Sequence, residues 1–217
     1  MRFYHVLMGL LFPPRCILCR RFLGKEETDL CRNCRGDSPE YPDSKRKLQF
    51  LDSFTAVWYY EGSVRGSLLR YKFHGARSYA CCYGKLLAMK LYREYPEGFD
   101  ILTWVPVRRL RRFRRGYDQV ELLAKAVGEE LGMEPVRTLR KIRNNPPQAG
   151  ITGQAQRKAN VLGVYRVVDP KLVQGKRVLM LDDIITTGST AGEAARVLLT
   201  AGAAEVHCGT IAAARKK

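Results

Sequence analysis

The pattern of apolar and polar residues changes its period repeatedly between residue 54 and the C-terminus. β-branched and aromatic runs predict strands, whereas apolar positions three and four residues apart predict helices. The predicted strands are 54–62, 100–107, 135–143, 165–168, 177–184 and 205–214, and the predicted helices are 63–75, 79–95, 117–132 and 190–202. Strands that alternate with helices predict an α/β fold, with a parallel sheet flanked by helices.

The first 50 residues have a different pattern and predict a separate N-terminal unit (1–50) before the α/β domain (51–217). A short amphipathic helix that ends at Pro13 is predicted first, and a signal-peptide core is the alternative, although no small-residue cleavage site follows it. A cysteine module (15–36) and a polar linker (37–50) come next. The chain has no apolar block of about 18 residues, so the sequence predicts no transmembrane segment.

Composition adds two constraints. The chain has 38 Lys and Arg against 21 Asp and Glu, a net charge of +17, which favours a partner rich in phosphate; a basic protein without such a partner is the alternative. Its 7 cysteines are odd in number. An odd count with four cysteines in metal-binding spacing predicts reduced thiols in the cytoplasm rather than a disulfide framework.

The four N-terminal cysteines have the spacing of a metal site. Two Cys-x2-Cys pairs, separated by 11 residues, predict a structural Zn²⁺ site with no open position. Free thiols and an iron–sulfur cluster are the alternatives. The predicted ligands are Cys16, Cys19, Cys31 and Cys34, and the other three cysteines, Cys81, Cys82 and Cys208, are interpreted as packing residues.

The stretch "VLMLDDIITTGST" (178–190) ends a buried strand with two acidic residues and a small, hydroxylated loop. The next helix is predicted to begin at Ser189 or Thr190 with a capping box to Glu193, and the amides at its N-terminus favour a phosphate. Asp182 and Asp183 would repel that phosphate but suit sugar hydroxyls or Mg²⁺. A Walker-B strand is the rival interpretation, but the sequence has no P-loop.

A second anion-binding segment follows the predicted strand 100–107. Six of the eight residues 108–115 are arginine, and arginines at the carboxyl end of a neighbouring parallel strand can clamp a pyrophosphate. A solvated basic helix start is the better interpretation for any single arginine.

The stretch 178–190 closely resembles the phosphoribosyl-pyrophosphate (PRPP) motif of type I phosphoribosyltransferases. The resemblance implies that Asp182 and Asp183 bind the ribose hydroxyls, and that Mg²⁺ accompanies PRPP. It also implies that residues 144–163 form a loop that closes over the site. The 5′-phosphate cradle would be Thr186, Thr187, Gly188, Ser189 and Thr190; the pyrophosphate and closing-loop residues would be Val107, Arg108, Arg109, Arg115, Arg143, Gln148, Arg157 and Asn160.

The order of cysteine module, linker, arginine loop and PRPP motif resembles the ComF family of bacterial competence proteins, a double zinc ribbon fused to a phosphoribosyltransferase domain. The resemblance extends over "FPPRCILC", "RRGYDQ" and 178–190. It implies a role in natural transformation, handling incoming single-stranded DNA in the cytoplasm beside the DNA-uptake machinery.

Two functions follow from these patterns. In the favoured one, the protein handles single-stranded DNA, with aromatics such as Tyr117 as stacking residues, and binds PRPP or a related sugar phosphate. In the alternative, it is an active phosphoribosyltransferase in which Asp182, Asp183, Arg108 and Arg109 are catalytic and a nitrogen nucleophile attacks PRPP. No acceptor base is indicated. The expected location is the cytoplasm, with the N-terminal helix as the candidate for peripheral contact with the inner membrane.

Overall fold

A computed structural model describes residues 13–43, 46–107, 116–143 and 162–215; the predicted N-terminal helix lies outside them. Along the chain the helices and strands are α1 (Arg32–Asp37), β1 (Arg46–Leu48), β2 (Leu51–Tyr59), α2 (Gly62–Phe73), α3 (Tyr79–Glu94), β3 (Ile101–Trp104), α4 (Gln119–Leu131), β4 (Leu139–Lys141), β5 (Tyr165–Val167), a 3-10 turn (Pro170–Leu172), β6 (Arg177–Ile185), α5 (Ser189–Thr200) and β7 (Glu205–Ala213). None of the helices in the described part combines the length and the apolar character needed to cross a bilayer.

The main sheet has five strands in the order β1-β2-β7-β6-β3. β2, β7, β6 and β3 run parallel to one another, and β1 is an antiparallel edge strand. β6 lies between β7 and β3 and is almost fully buried, as its apolar composition predicts for a strand covered on both faces. The predicted parallel sheet flanked by helices is therefore confirmed.

Two apolar cores cover the faces of this sheet. On one face, α2, α3 and α4 pack with part of the cysteine module, through residues such as Leu68, Leu87 and Leu123. On the other face, α5 packs with the β4–β5 pair, through residues such as Leu198 and Leu139. Both faces of β6 are thereby removed from water, and in open sheets of this kind ligands bind at the carboxyl ends of the strands.

Most of the predicted strand 135–143 lies outside the main sheet, although Pro135 forms a single parallel bridge with Leu102 of β3. Its strand β4 pairs antiparallel with β5 in a separate two-stranded sheet. Leu139 is buried whereas its neighbour Arg140 is exposed, so this strand has one apolar face, as suits a strand that is solvated on the other face. A hydrogen bond of 2.8 Å between the Thr103 and Thr138 hydroxyls connects β3 to the segment that leads into β4.

The segment 37–50, predicted as a linker, contacts the core. Tyr41 is buried against Phe54 and Tyr59, with ring centroids 5.7 and 5.1 Å away. The buried ammonium of Lys90 donates to the Tyr41 carbonyl at 2.6 Å and to Asp43 at 2.8 Å. The end of the segment forms β1. The polar composition of this segment hides its contacts, because many of them are backbone hydrogen bonds, such as those that join Pro39 and Tyr41 to β2.

Candidate functional site

The phosphate loop, residues 186–188, joins the end of β6 to the start of α5. Gly188 is the N-cap of α5, with a φ of 78° and no side-chain cap. The N-cap residue has no side chain, and the Ser189 amide makes a long hydrogen bond of 3.4 Å to Thr187 Oγ1, so this helix N-terminus, which the helix dipole makes positive, can still bind an anion. The hydroxyls of Thr187 and Ser189 lie 2.9 Å apart at the same end. A concave pocket is lined by Asp182 and by residues 184–191.

Two glycines, Gly188 in the phosphate loop and Gly192 in α5, accommodate the end of β1 and the turn that follows it. A Cβ on Gly188 would lie 2.8 Å from Leu48 Cδ1, and a Cβ on Gly192 would lie 2.9 Å from the carbonyl oxygen of Gln49. Gly188 is also in the left-handed region, where other residues are strained. The glycines therefore let the β1–β2 turn lie directly against the phosphate loop.

The predicted capping box between Thr190 and Glu193 is wrong. α5 begins at Ser189, and the Glu193 carboxylate turns away to accept from the Gly163 amide at 2.8 Å and to pair with Arg196 at 2.8 Å. Glu193 bonds these two partners rather than the amide of its own helix, because the Arg196 guanidinium is charged and the Gly163 amide is a partly buried donor. Glu193 thus ties α5 to the start of β5 instead of capping its own helix.

The two acidic residues lie at the buried carboxyl end of β6. The Asp183 amide donates to Asp182 Oδ1 at 2.8 Å. Asp183 itself accepts from Lys72 Nζ at 2.9 Å and from Gln119 Nε2 at 3.1 Å, one on each carboxylate oxygen. Burial, and then the charge of Asp183, raise the pKa of Asp182 to about 8. Together Asp182 and Asp183, the acidic pair, offer carboxylate oxygens beside the phosphate loop.

Three residues of this site were not predicted from the sequence to belong to it. Lys72 ends a helix whose orientation cannot be deduced from its own pattern, and Gln119 begins another. Asp118 precedes α4 in an N-cap position, a signal that the sequence does contain. Its carboxylate accepts from the amides of Val120, Glu121 and Val107, and the Val107 bond is 3.3 Å long.

The end of β3, which leads into the arginine loop (residues 108–115), lies beside the strand that carries the acidic pair. β3 pairs in parallel with β6, with Trp104 opposite Leu181, and the Val105 amide donates to the Leu181 carbonyl at 2.9 Å. The carboxyl ends of the two strands therefore lie at the same edge of the sheet. Val107, which follows β3 at this edge, is half-buried. Arg143 is exposed just after β4. The remaining predicted residues lie outside the described part: Arg108, Arg109, Arg115, Gln148, Arg157 and Asn160.

The four N-terminal cysteines converge. All four Sγ atoms lie within 4.8 Å of one another, and those of Cys19 and Cys31 are 3.7 Å apart. Tetrahedral zinc with Zn–S bonds of about 2.3 Å requires S–S edges of about 3.8 Å, so the arrangement fits Zn²⁺. The Cys34 amide donates to Cys31 Sγ at the start of α1, which lowers the pKa of Cys31 to about 7.

Two interpretations of buried and exposed residues need correction. Cys82 and Cys208 are buried as expected, but Cys81 is exposed because it lies on the outer face of α3. Tyr117 is also buried: its hydroxyl donates to the Tyr71 carbonyl at 2.5 Å, and the Arg77 guanidinium lies over its ring. Tyr117 is therefore part of the packing beside α2 and is not available to stack a nucleotide base.

Replacement of one ligand should release the metal. We expect Cys31→Ser to lose bound zinc, since three thiolates leave the tetrahedron incomplete. Cys81→Ser, which changes an exposed cysteine outside the cluster, should keep one zinc ion for each chain. Metal content measured by atomic absorption after dialysis checks both, and full zinc in Cys31→Ser would contradict the four-thiolate centre.

The acidic pair should make stability depend on pH. Burial raises the pKa of Asp182 from 3.8 to about 8, so as the pH rises between these values the unfolded chain releases a proton that the folded chain keeps, and this cost lowers the free energy of unfolding. Asp182→Asn removes that cost. Its melting temperature should exceed that of the wild type by at least about 2 °C at pH 8.5 and by less at pH 5. Glu130→Gln, at an exposed position, is the control, and equal pH dependence in wild type and Asp182→Asn would contradict the expectation.

Comparisons with known proteins agree with this architecture. The phosphoribosyl transferase domain family matches residues 117–217, and the double zinc ribbon domain family matches residues 7–44. The matched N-terminal segment contains four cysteines, enough for one tetrahedral centre.

Three relatives show how far the similarity extends. The DNA utilization protein YhgH of Salmonella typhi is 35% identical over 50% of this chain and 47% of its own length, so this chain spans about half of it. Competence protein F of Haemophilus influenzae is 24% identical over 90% of this chain and 95% of its own. Competence protein ComFC of Bacillus subtilis is 26% identical over 87% and 73%. The chain therefore combines a double zinc ribbon domain with a phosphoribosyl transferase domain, and over most of its length it is similar to competence proteins F and ComFC.

Proposed function

We propose that this protein binds PRPP or a related sugar phosphate and handles incoming single-stranded DNA during natural transformation. The observation that carries the first half is the acidic pair beside the N-terminus of α5. Carboxylates and helix amides on one edge of the sheet match the hydroxyls and the 5′-phosphate of a phosphorylated ribose. Asp182 and Asp183 would accept from the ribose hydroxyls, and the phosphate loop would donate to the phosphate.

The pyrophosphate end of PRPP would lie toward the arginine loop. Val107 marks where that loop leaves the sheet, and its amide is held by Asp118. Arg108 and Arg109 would follow as phosphate ligands. The buried carboxylate oxygens are ligands that suit Mg²⁺, which would enter with PRPP and neutralise part of its charge. Asp182 and Asp183 would therefore bind the ribose of an anionic ligand without contacting its phosphates.

The cysteine module (15–36) with its predicted zinc ion, the zinc module, supports the second half of the proposal. Its arginines are exposed around the cysteine cluster: Arg15, Arg20, Arg21, Arg32 and Arg35. Phe22 is 52% exposed among them, and the Arg15 guanidinium lies 4.1 Å from its ring centroid. Exposed arginines with an aromatic ring suit a single strand, whose phosphates are bound by charge and whose bases stack. The similarity to competence proteins supports a role in DNA uptake, and we propose that the protein acts in the cytoplasm beside the DNA-uptake machinery.

Turnover is the second candidate function. The phosphoribosyl transferase match and the shared edge of β3 and β6 would let the same residues hold a leaving pyrophosphate while a nitrogen nucleophile attacks the ribose. Release of pyrophosphate on addition of bases, measured with the PRPP-binding sample, distinguishes catalysis from binding.

Loss of the two carboxylates should separate the two binding activities. In calorimetry on zinc-loaded protein, we expect the double variant Asp182→Asn/Asp183→Asn to bind PRPP–Mg²⁺ at least tenfold more weakly, because amides are poorer acceptors and bear no charge. Affinity for a short single strand should stay within about twofold. Glu129→Gln/Glu130→Gln, an exposed adjacent acidic pair on α4, is the matched control. The proposal fails if the wild type binds no PRPP, and separate sites are contradicted if DNA binding collapses in a folded double variant.

The exposed aromatic ring of the zinc module should contribute to DNA binding. Phe22→Ala is expected to weaken affinity for a single strand about fivefold or more, since stacking of one base contributes about 1–3 kcal/mol. The dependence of affinity on salt should be unchanged because no charge is lost. Tyr92→Ala, which removes an exposed aromatic from α3, is the control. Fluorescence anisotropy over a salt series measures both quantities, and equal effects of the two variants would contradict a role for Phe22.

A further inference from the structure

Three consecutive residues at the end of α2 contact three different parts of the molecule. Arg70 contacts the cysteine module, Tyr71 contacts the start of α4, and Lys72 contacts the acidic pair. Because a helix is rigid over one turn, a shift of the backbone at any one of these residues also moves the other two. The last turn of α2 therefore connects the predicted zinc centre with the predicted ribose site through direct contacts.

Arg70 holds the peptide units between the first two metal ligands. Its Nη2 atom donates to the carbonyls of Ile17 and Leu18 at 2.8 and 2.6 Å. Ser67, one turn earlier, donates to the same Ile17 carbonyl at 2.6 Å. Ile17 and Leu18 are buried and lie between Cys16 and Cys19, so their carbonyl positions depend on the closure of the cysteine cluster. Four thiolates around zinc carry a net charge of about −2, which favours a guanidinium at this place.

Asp183 is held from two helices. Lys72 of α2 pairs with one carboxylate oxygen, and Gln119 of α4 donates to the other. The two helices are joined by Tyr71, whose hydroxyl donates to the Gln119 carbonyl at 2.5 Å. The side chain of Lys72 is 20% exposed and that of Asp183 is 8% exposed, so this ion pair is shielded from water. Removal of one partner from such a pair costs more than at an exposed site.

We propose that Lys72 is a positioning residue that orients Asp183 for the ribose hydroxyls, and that α2 couples this orientation to the zinc centre through Arg70. The inference rests on the proposed sugar-phosphate site and adds a dependence of that site on the zinc module. The cation fixes one oxygen of Asp183 and Gln119 fixes the other, and the remaining lone pairs of the carboxylate stay open to a ribose hydroxyl. Binding at either site then favours the same position of α2, so zinc and PRPP should strengthen each other's binding.

The positioning role is tested by charge removal and charge rescue. Calorimetry with PRPP–Mg²⁺ is done on zinc-loaded wild type, Lys72→Met, Lys72→Arg and the control Arg65→Met, an exposed residue of the same helix. We expect Lys72→Met to bind at least tenfold more weakly, Lys72→Arg to stay within about threefold of wild type, and Arg65→Met within about twofold. A Lys72→Met affinity within twofold of wild type overturns the positioning role. Equal losses in the Met and Arg variants overturn it as well, since they would indicate side-chain shape rather than charge.

The coupling is tested by the rate at which zinc is transferred to a chromogenic chelator. Saturating PRPP–Mg²⁺ should slow this transfer about fivefold in the wild type and leave it unchanged in Lys72→Met. Arg70→Lys, which keeps the charge but loses the fork geometry, should also lose the effect; if it retains no zinc, the Lys72 variants carry the test alone. No slowing in the wild type, or equal slowing in Lys72→Met, overturns the coupling.

The two proposals fail in distinguishable ways. If the wild type binds no PRPP, the sugar-phosphate site is wrong and this inference fails with it. If the wild type binds PRPP, and the double variant of the acidic pair does not, while Lys72→Met is indistinguishable from wild type, the site stands and only the role of Lys72 is overturned.

Discussion

The structure depends on two adjacent carboxylates held at the buried end of a central parallel strand. β6 is covered on both faces, so Asp182 and Asp183 leave water on folding, and the pKa of Asp182 rises to about 8. A buried acidic pair is unfavourable unless donors and cations surround it. Lys72, Gln119 and the Asp183 amide supply them. The ends of α2 and α4 must therefore meet β6 at this point, which fixes how that helical layer packs.

The same constraint explains why the N-terminal unit is part of one packed molecule. The cysteine module contributes Ile17 and Leu18 to the core on the α2–α4 face, and Arg70 anchors its backbone. The following segment pairs with β2 at the edge of the sheet and places Leu48 against Gly188 of the phosphate loop. The cysteine module and the proposed sugar-phosphate site are thus both held by α2, although they lie in segments with different composition. A tightly bound zinc ion would then stabilise more than its own ligands.

The distribution of charge separates two kinds of anion binding. At the carboxyl edge of the sheet, acids and backbone amides suit a small ligand with both hydroxyls and phosphates. Around the cysteines, exposed arginines and Phe22 suit a long polyanion whose binding weakens with salt. The net charge of +17 therefore does not conflict with the acidic pair. In this proposal, the edge of the sheet binds the hydroxyls and phosphates of a sugar phosphate, and the cysteine module binds the phosphates and bases of a nucleic acid strand.

By itself, the sequence determined the parallel sheet, the phosphate loop with its acidic pair and the four-cysteine centre, because each depends on local spacing or periodicity. It misled at Glu193 and Tyr117, where partners from distant segments, Gly163 and Tyr71, decided the side-chain position. Only the tertiary structure showed that Lys72 pairs with Asp183 and that Arg70 bonds the backbone between the first two cysteines of the zinc module. A helix pattern gives the position of an apolar face, but it cannot say which polar residues at its end meet another element, since that depends on how the helices dock on the sheet.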